Sequence, residues 1–268
     1  MPTPIDVGSL VTSPLRLFYR ETELGTATGF FARRGDQLFL VTNWHVVSGR
    51  DFQDGHVLDP NQGIPDRVRF LVGCEGHDGE WMDANSLLYR DADANQAPEE
   101  PLWLEHAHHG HAIDVVALPI ALPAGAAVRT IDAVNSVPKM VVKVSQSVFV
   151  LGYPIALSGG RGFPIWKRAS IATEPAISLD GLPKMLVDTA TRKGMSGSPV
   201  IARADGEFDV EGPPAAYRPP GRVYRFLGVY SGRLGSDEMQ AQLGIVWREH
   251  ALAEILEAPT IGASSFTM

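Results

Sequence analysis

Short apolar runs, separated by Gly, Pro and polar turn residues, recur along most of the chain. Residues 15–19 and 25–32 predict two strands, and residues 37–42 predict a third that returns from a turn at 33–36, where Gly35 can take a positive φ. Residues 68–72 predict another strand. The polar, acidic stretch 80–100 reads as one hairpin around Leu87-Leu88-Tyr89 followed by an exposed loop containing Asp91, Asp93 and Glu99. Pro119, Pro123 and Gly125 break any element over 118–131. Further strands are predicted at 148–151, 166–172, 184–189, 226–232 and 243–247, with a polar, Pro/Gly-rich excursion at 203–221. Helical periodicity is clear only at 251–257, where Leu252, Ile255 and Leu256 share a face and Pro259 ends the pattern. Residues 1–13 are expected to wrap the surface, and the tail to Met268 is expected to be loose. Many short strands between turn signals predict an all-β barrel or sandwich.

Three stretches carry chemistry. In Gly194-Met195-Ser196-Gly197-Ser198-Pro199 a serine sits between glycines and runs into the apolar Val200-Ile201. Such a turn can expose a hydroxyl and aim successive backbone N–H groups at one point. Thr42-Asn43-Trp44-His45-Val46-Val47 places a histidine just past a predicted strand, on a connection held by a sheet. His111-Ala112-Ile113-Asp114 puts an acid at the head of the apolar run Val115-Val116-Ala117-Leu118. Asp51 and Asp54 compete for the role of partner to His45, but they sit in a polar turn with no strand after it, so Asp114 is preferred. Residues His106, His108, His109 and His111, beside Glu105, form a cluster that could hold zinc, although no HExxH or Cys/His finger spacing accompanies it. A connecting loop is the favoured reading there. Cys74 has no feature of a reactive thiol nearby.

The order His, Asp, Ser is that of chymotrypsin among the unrelated triads. The three motifs resemble those of chymotrypsin-like (trypsin-like) serine peptidases, particularly the disulfide-free bacterial branch that includes the HtrA-type enzymes. The segment ending Gly152-Tyr153-Pro154 is similar to its equivalent in that branch, and the resemblance extends over about residues 25–250. It implies two six-stranded Greek-key β-barrels with the site in the cleft between them, one over residues 1–130 carrying His45 and Asp114, the other over residues 131–268 carrying Ser196, the C-terminal helix and the tail. It also implies that Ser196 is the nucleophile, His45 the general base and Asp114 its orienter, with an oxyanion hole from Gly194 and Ser196 and with Met195 N–H close by. The pocket for the residue before the scissile bond would lie among Ala190, Thr191, Arg192, Ser231, Gly232, Arg233 and Gly244. Ala190 is small and neutral and Gly232 and Gly244 leave the walls open, so a medium apolar residue is expected to fit; an inward Arg192 or Arg233 would instead favour an acidic one. Met195 stands where trypsin has an acid that binds its freed N-terminus, so activation by N-terminal clipping is not expected. The rival to an active endopeptidase is a silent pseudo-peptidase that binds peptides or partners on the same scaffold.

Composition narrows the reading further. A net charge of −8 argues against a nucleic-acid surface, and no apolar run approaches the ~20 residues of a membrane helix. The first residues show neither the basic flank nor the apolar core of a secretory signal. One cysteine cannot make an internal disulfide, so a cytoplasmic location is expected. No peptide-binding module is evident after the helix, so an HtrA-like oligomeric chaperone role is not expected. The expected partners are a protein or peptide substrate and, in addition, a regulatory protein. No cofactor or metal is called for by this chemistry.

Overall fold

The structure is a computed structural model that describes residues 5–90, 100–137, 139–205, 208–211, 222–233 and 242–268. Asp91, Asp93 and Glu99 of the acidic loop, and most of the polar excursion before residue 222, lie outside the described residues.

Two antiparallel sheets form the body of the protein. The second is a closed barrel of six strands, β9 (Ser147–Gly152), β10 (Ile165–Ile171), β11 (Lys184–Asp188), β12 (Pro199–Asp205), β13 (Arg222–Arg233) and β14 (Leu243–Arg248), in the ring order β9-β10-β11-β14-β13-β12. The first has six principal strands, β1 (Thr12–Tyr19), β2 (Thr22–Arg34), β3 (Gln37–Thr42), β4 (Arg67–Cys74), β5 (His77–Leu87) and β7 (Val116–Ile120), with the short β6 (Leu104–Glu105), β8 (Ala126–Ala127) and β15 (Thr260–Ile261) added. Its order, β7-β3-β2-β1-β4-β5, repeats the Greek-key order of the second. The roll closes where Leu102 N–H donates to Leu88 O and Arg90 N–H to Glu100 O, joining the continuation of β5 to the segment that enters β6.

The strands that face the cleft are buried on both sides, which is why they read as apolar runs and not as alternations. In β3, Leu38 and Leu40 point into the first roll while Phe39 and Val41 point into a third core shared with the second barrel. In β14, Val246 faces the interior of the second barrel and Ile245 and Trp247 face the shared core. Helix α2 (Glu249–Glu257) lays Ala251, Leu252 and Ile255 on that shared core.

Two sequence expectations need correcting. No hairpin turns at Leu87-Leu88-Tyr89: β5 runs straight to Leu87 and its turn lies at Glu75-Gly76, because its buried positions are the small Gly79 and Ala84, which give no hydrophobic signal. The tail is not loose. β15 pairs with β6, Ser264 and Ser265 are buried, and Phe266 packs edge-on against Tyr89 at 5.3 Å. Among the described residues no helix is long and apolar enough to cross a membrane.

Candidate active site

Register brings the first pair together. β3 and β7 are antiparallel neighbours with Thr42 opposite Val116, so the residues just after β3 and just before β7 emerge side by side. After β3 the chain makes one helical turn, α1 (Trp44–Ser48). Its opening residue Asn43 leaves the helix uncapped and sends Nδ2 to Asp114 O at 2.7 Å. The orphan N–H groups of a helix start need an acceptor, and the Asp114 carboxylate supplies one: Oδ1 takes His45 N–H at 2.8 Å. Its other oxygen, Oδ2, lies 2.7 Å from His45 Nδ1 and also accepts Ser231 Oγ. Asp114 is fully buried, and these donors stand in for the water it has lost.

Because a carboxylate only accepts, His45 carries its proton on Nδ1 and presents the lone pair of Nε2. Burial by itself would push the imidazole below its ordinary value; the charge of Asp114 and its hydrogen bond outweigh that and hold His45 above it. The rival acids are occupied elsewhere. Asp51 Oδ1 accepts Gln53 N–H at 2.8 Å, and Asp54 Oδ1 accepts His56 N–H at 3.1 Å.

Ser196 precedes β12 and lines one cavity together with His45. Its loop is fastened by Thr28 of β2, a fully buried residue of the opposite sheet. Thr28 N–H donates to Ser196 O at 2.9 Å and Thr28 Oγ1 donates to Gly194 O at 2.8 Å while accepting Tyr153 N–H at 3.1 Å. Thr28 O accepts the hydroxyl of Thr42 at 2.9 Å, tying this clamp to the strand that leads to His45. Sequence reading missed Thr28; a threonine flanked by Ala27 and Gly29 inside a buried strand was the available signal.

Glycine is needed on both sides of the serine. A Cβ on Gly194 (φ +92°) would lie 2.4 Å from Tyr153 O, and one on Gly197 (φ +82°) would lie 2.1 Å from Thr28 O. Lys193 O accepts Ile155 N–H at 2.7 Å, which fixes the peptide leading into Gly194. Among the described residues, neither Gly194 N–H nor Ser196 N–H has a hydrogen-bond acceptor. Met195 N–H differs: it donates to Arg192 O at 3.3 Å. The Met195 side chain is buried in the second barrel's core, where no freed amine could find a charge.

Around the expected acyl-side pocket, Ser231 is turned to Asp114 and Arg192 is exposed. Thr191 is buried and its hydroxyl is bonded to that of Tyr230. Burial pushes the Tyr230 hydroxyl up to about 12, so it stays neutral. Gly244 is not the open wall its sequence suggests: a Cβ there would meet the Tyr230 ring at 2.3 Å, so the ring already occupies that space. Ala190, Gly232 and Arg233 are each partly exposed.

The histidine cluster is structural at its first member. His106 Nε2 lies 2.7 Å from Glu254 of α2, and Nδ1 accepts the N–H groups of His108 and His109 at 3.2 and 3.3 Å, so His106 keeps no lone pair for a metal. His111 stacks on Trp44 at 4.8 Å, and Trp44 Nε1 donates to the buried Glu105 at 3.0 Å. The cluster thus braces α1 and α2.

A closed six-stranded barrel beside a second Greek-key roll, with a histidine–aspartate pair and a glycine-flanked serine in one cleft, defines a class, and the comparison of families agrees. The trypsin-like peptidase domain matches residues 27–208, a span that includes His45, Asp114 and Ser196. The chain belongs to the trypsin-like peptidase family. No curated protein matches its sequence. Among solved structures, the serine endoprotease from Yersinia pestis shares the fold with a TM-score of 0.50 and 11% identity, over 96% of this chain and 67% of that one. The Rv3671c protease from M. tuberculosis in its active form is 20% identical with a TM-score of 0.47, over 96% of this chain and 85% of that one.

Proposed function

We propose that the chain is a serine endopeptidase in which Ser196, His45 and Asp114 act as a triad. The observation that carries this is the pair of hydrogen bonds that His45 donates to Asp114, which leaves Nε2 as the base in the cavity that Ser196 also lines. His45 removes the proton of Ser196 Oγ as that oxygen attacks a peptide carbonyl, and returns it to the leaving amine. Asp114 holds the tautomer and stabilises the imidazolium. Gly194 N–H and Ser196 N–H bind the oxyanion; each such donor contributes about 2.7–4 kcal/mol to the transition state. Water, deprotonated by His45, then releases the acyl group. The apo cleft contains no hydrogen bond between Ser196 and His45, and such contacts commonly form only with substrate.

The acyl-side pocket of Ala190, Thr191, Ser231, Gly232 and Gly244, floored by the Tyr230 ring, suits a small or medium apolar residue. Among the described residues that form this pocket there is no carboxylate, so a Lys or Arg would lose its hydration against them without gaining a partner. Within this reading residues 1–130 carry His45 and Asp114 and residues 131–268 carry Ser196, while the tail of the second segment returns to the first sheet through β15. Fluorophosphonate labelling followed by mass spectrometry tests the proposal. The expected result is one adduct, on Ser196, lost in Ser196→Ala. A folded protein that takes no label would refute it.

A further inference from the structure

A cavity of about 270 Å³ opens beside His45 and Ser196, several times the ~30 Å³ share of one water. Its walls are Leu17, Leu24, Leu58, Pro60 and Pro65, all from the first roll and from the loop that follows α1. Asp59 and Lys193 contribute the only charged side chains among its lining residues apart from the titratable His45. None of the residues assigned to the acyl-side pocket lines it.

We propose that this cavity receives the side chain of the residue immediately after the scissile bond and selects a large apolar one. The proposal rests on the peptidase reading above. Its direction follows from the chemistry: the acyl half of the substrate is attached to Ser196 and leads to the second barrel, whereas the leaving amine must come within hydrogen-bond reach of His45 to take its proton. The first side chain on the leaving half is carried one bond from that amine. It therefore meets the cavity that His45 lines on the first-roll side.

The selectivity follows from the walls. Leu17 is buried, while Leu58 is 44% exposed at the cavity, an apolar surface that an apolar occupant would remove from water. A charged occupant would lose hydration against these walls, and because Asp59 and Lys193 carry opposite signs the lining offers neither sign a net attraction. The wall is built in advance of any ligand. Leu58 N–H is held by Gly49 O at 2.8 Å, and Arg50 fastens the same loop by donating to Gly55 O at 2.9 Å and to Ser265 O of the C-terminal tail at 3.0 Å. A Cβ on Gly63 would fall 2.6 Å from Leu24, so the loop seats Leu24 by close backbone approach.

Acyl transfer tests the site without depending on acyl-side preference. The full chain is acylated with a peptide ester ending in alanine or valine, and amino-acid amides compete with water for the acyl-enzyme. The amine nitrogen forms a bond to the acyl carbon, the bond from that carbon to Ser196 Oγ breaks, and the proton removed by His45 returns to Oγ. Leucinamide and phenylalaninamide should capture the acyl group about ten- to a hundredfold better than glycinamide, the amide of aspartate or that of lysine. Leu58→Asp should bring the leucinamide-to-glycinamide ratio down to about one. That ratio is internal to each sample, so it does not depend on how much of a variant folds. Equal capture of all amides would overturn the subsite while leaving the peptidase reading in place. A preference unchanged in Leu58→Asp would overturn the assignment of this cavity. Absence of both ester turnover and fluorophosphonate adduct would overturn the peptidase reading and the subsite with it.

Discussion

Thr28→Val isolates the clamp between the two sheets. Valine keeps the shape of threonine and removes only the hydroxyl, which in Thr28 accepts Tyr153 N–H at 3.1 Å and donates to Gly194 O at 2.8 Å. Both orphaned groups are buried with the residue. An unsatisfied buried backbone group costs about 1–3 kcal/mol, so the two together should cost roughly 2–6 kcal/mol. For a chain of this size each kcal/mol moves Tm by about 2–4 °C, which puts the expected fall at roughly 4–24 °C. Because Gly194 also supplies one of the two proposed oxyanion donors, kcat should fall as well, by up to the ~10²–10³-fold that loss of one oxyanion donor costs. Thermal unfolding and steady-state kinetics on Thr28→Val and Thr28→Ser read both effects. Thr28→Ser retains the hydroxyl and should recover most of the activity, losing only the ~1 kcal/mol of a buried methyl. A valine variant within about 1 °C of wild type, or a serine variant no better than the valine one, would refute the clamp.

Ser196→Ala should reduce kcat by about 10⁶ in a peptide-cleavage assay while the circular dichroism spectrum stays unchanged. His45 is raised above its ordinary ~6.5 and must be neutral to act, so activity should fall as pH drops through a midpoint above that value; in kcat/KM profiles an acid limb below pH ~6 would contradict the pairing with Asp114. The same shift has a stability counterpart of known sign: a raised histidine stabilises the fold below its unfolded pKa, and that contribution disappears as pH rises through the folded one. Asp114→Asn should cost about 10⁴ in kcat, because the amide can impose the wrong imidazole tautomer, and should move the acid limb to lower pH. Gly194→Ala should cut kcat at least about 10²-fold, since its Cβ would sit 2.4 Å from Tyr153 O and displace an oxyanion donor.

The apolar runs and turn glycines determined the strands, and β3 appears at the residues its pattern predicts, 37–42. The three motifs were legible because a glycine-flanked serine, a histidine after a strand and an acid before one are local patterns, and their order marked the family. Sequence could not decide which side of each strand faces which core. Phe39 and Leu40 are equally apolar, and only the packing of two barrels sends one to the shared core and the other into the first roll. Nor could it find partners remote in the chain. Thr28 holds Gly194 from 166 positions away, and Arg50 binds the carbonyl of Ser265 from 215 away. Gly244 read as open space and is filled by the Tyr230 ring, and a tail without obvious anchors is pinned by β15 and Phe266. Local conformational preference and hydrophobic period act over a few residues and are written in the sequence. Hydrogen-bond partners and excluded volume depend on where the folded chain returns, and those the tertiary structure alone decided.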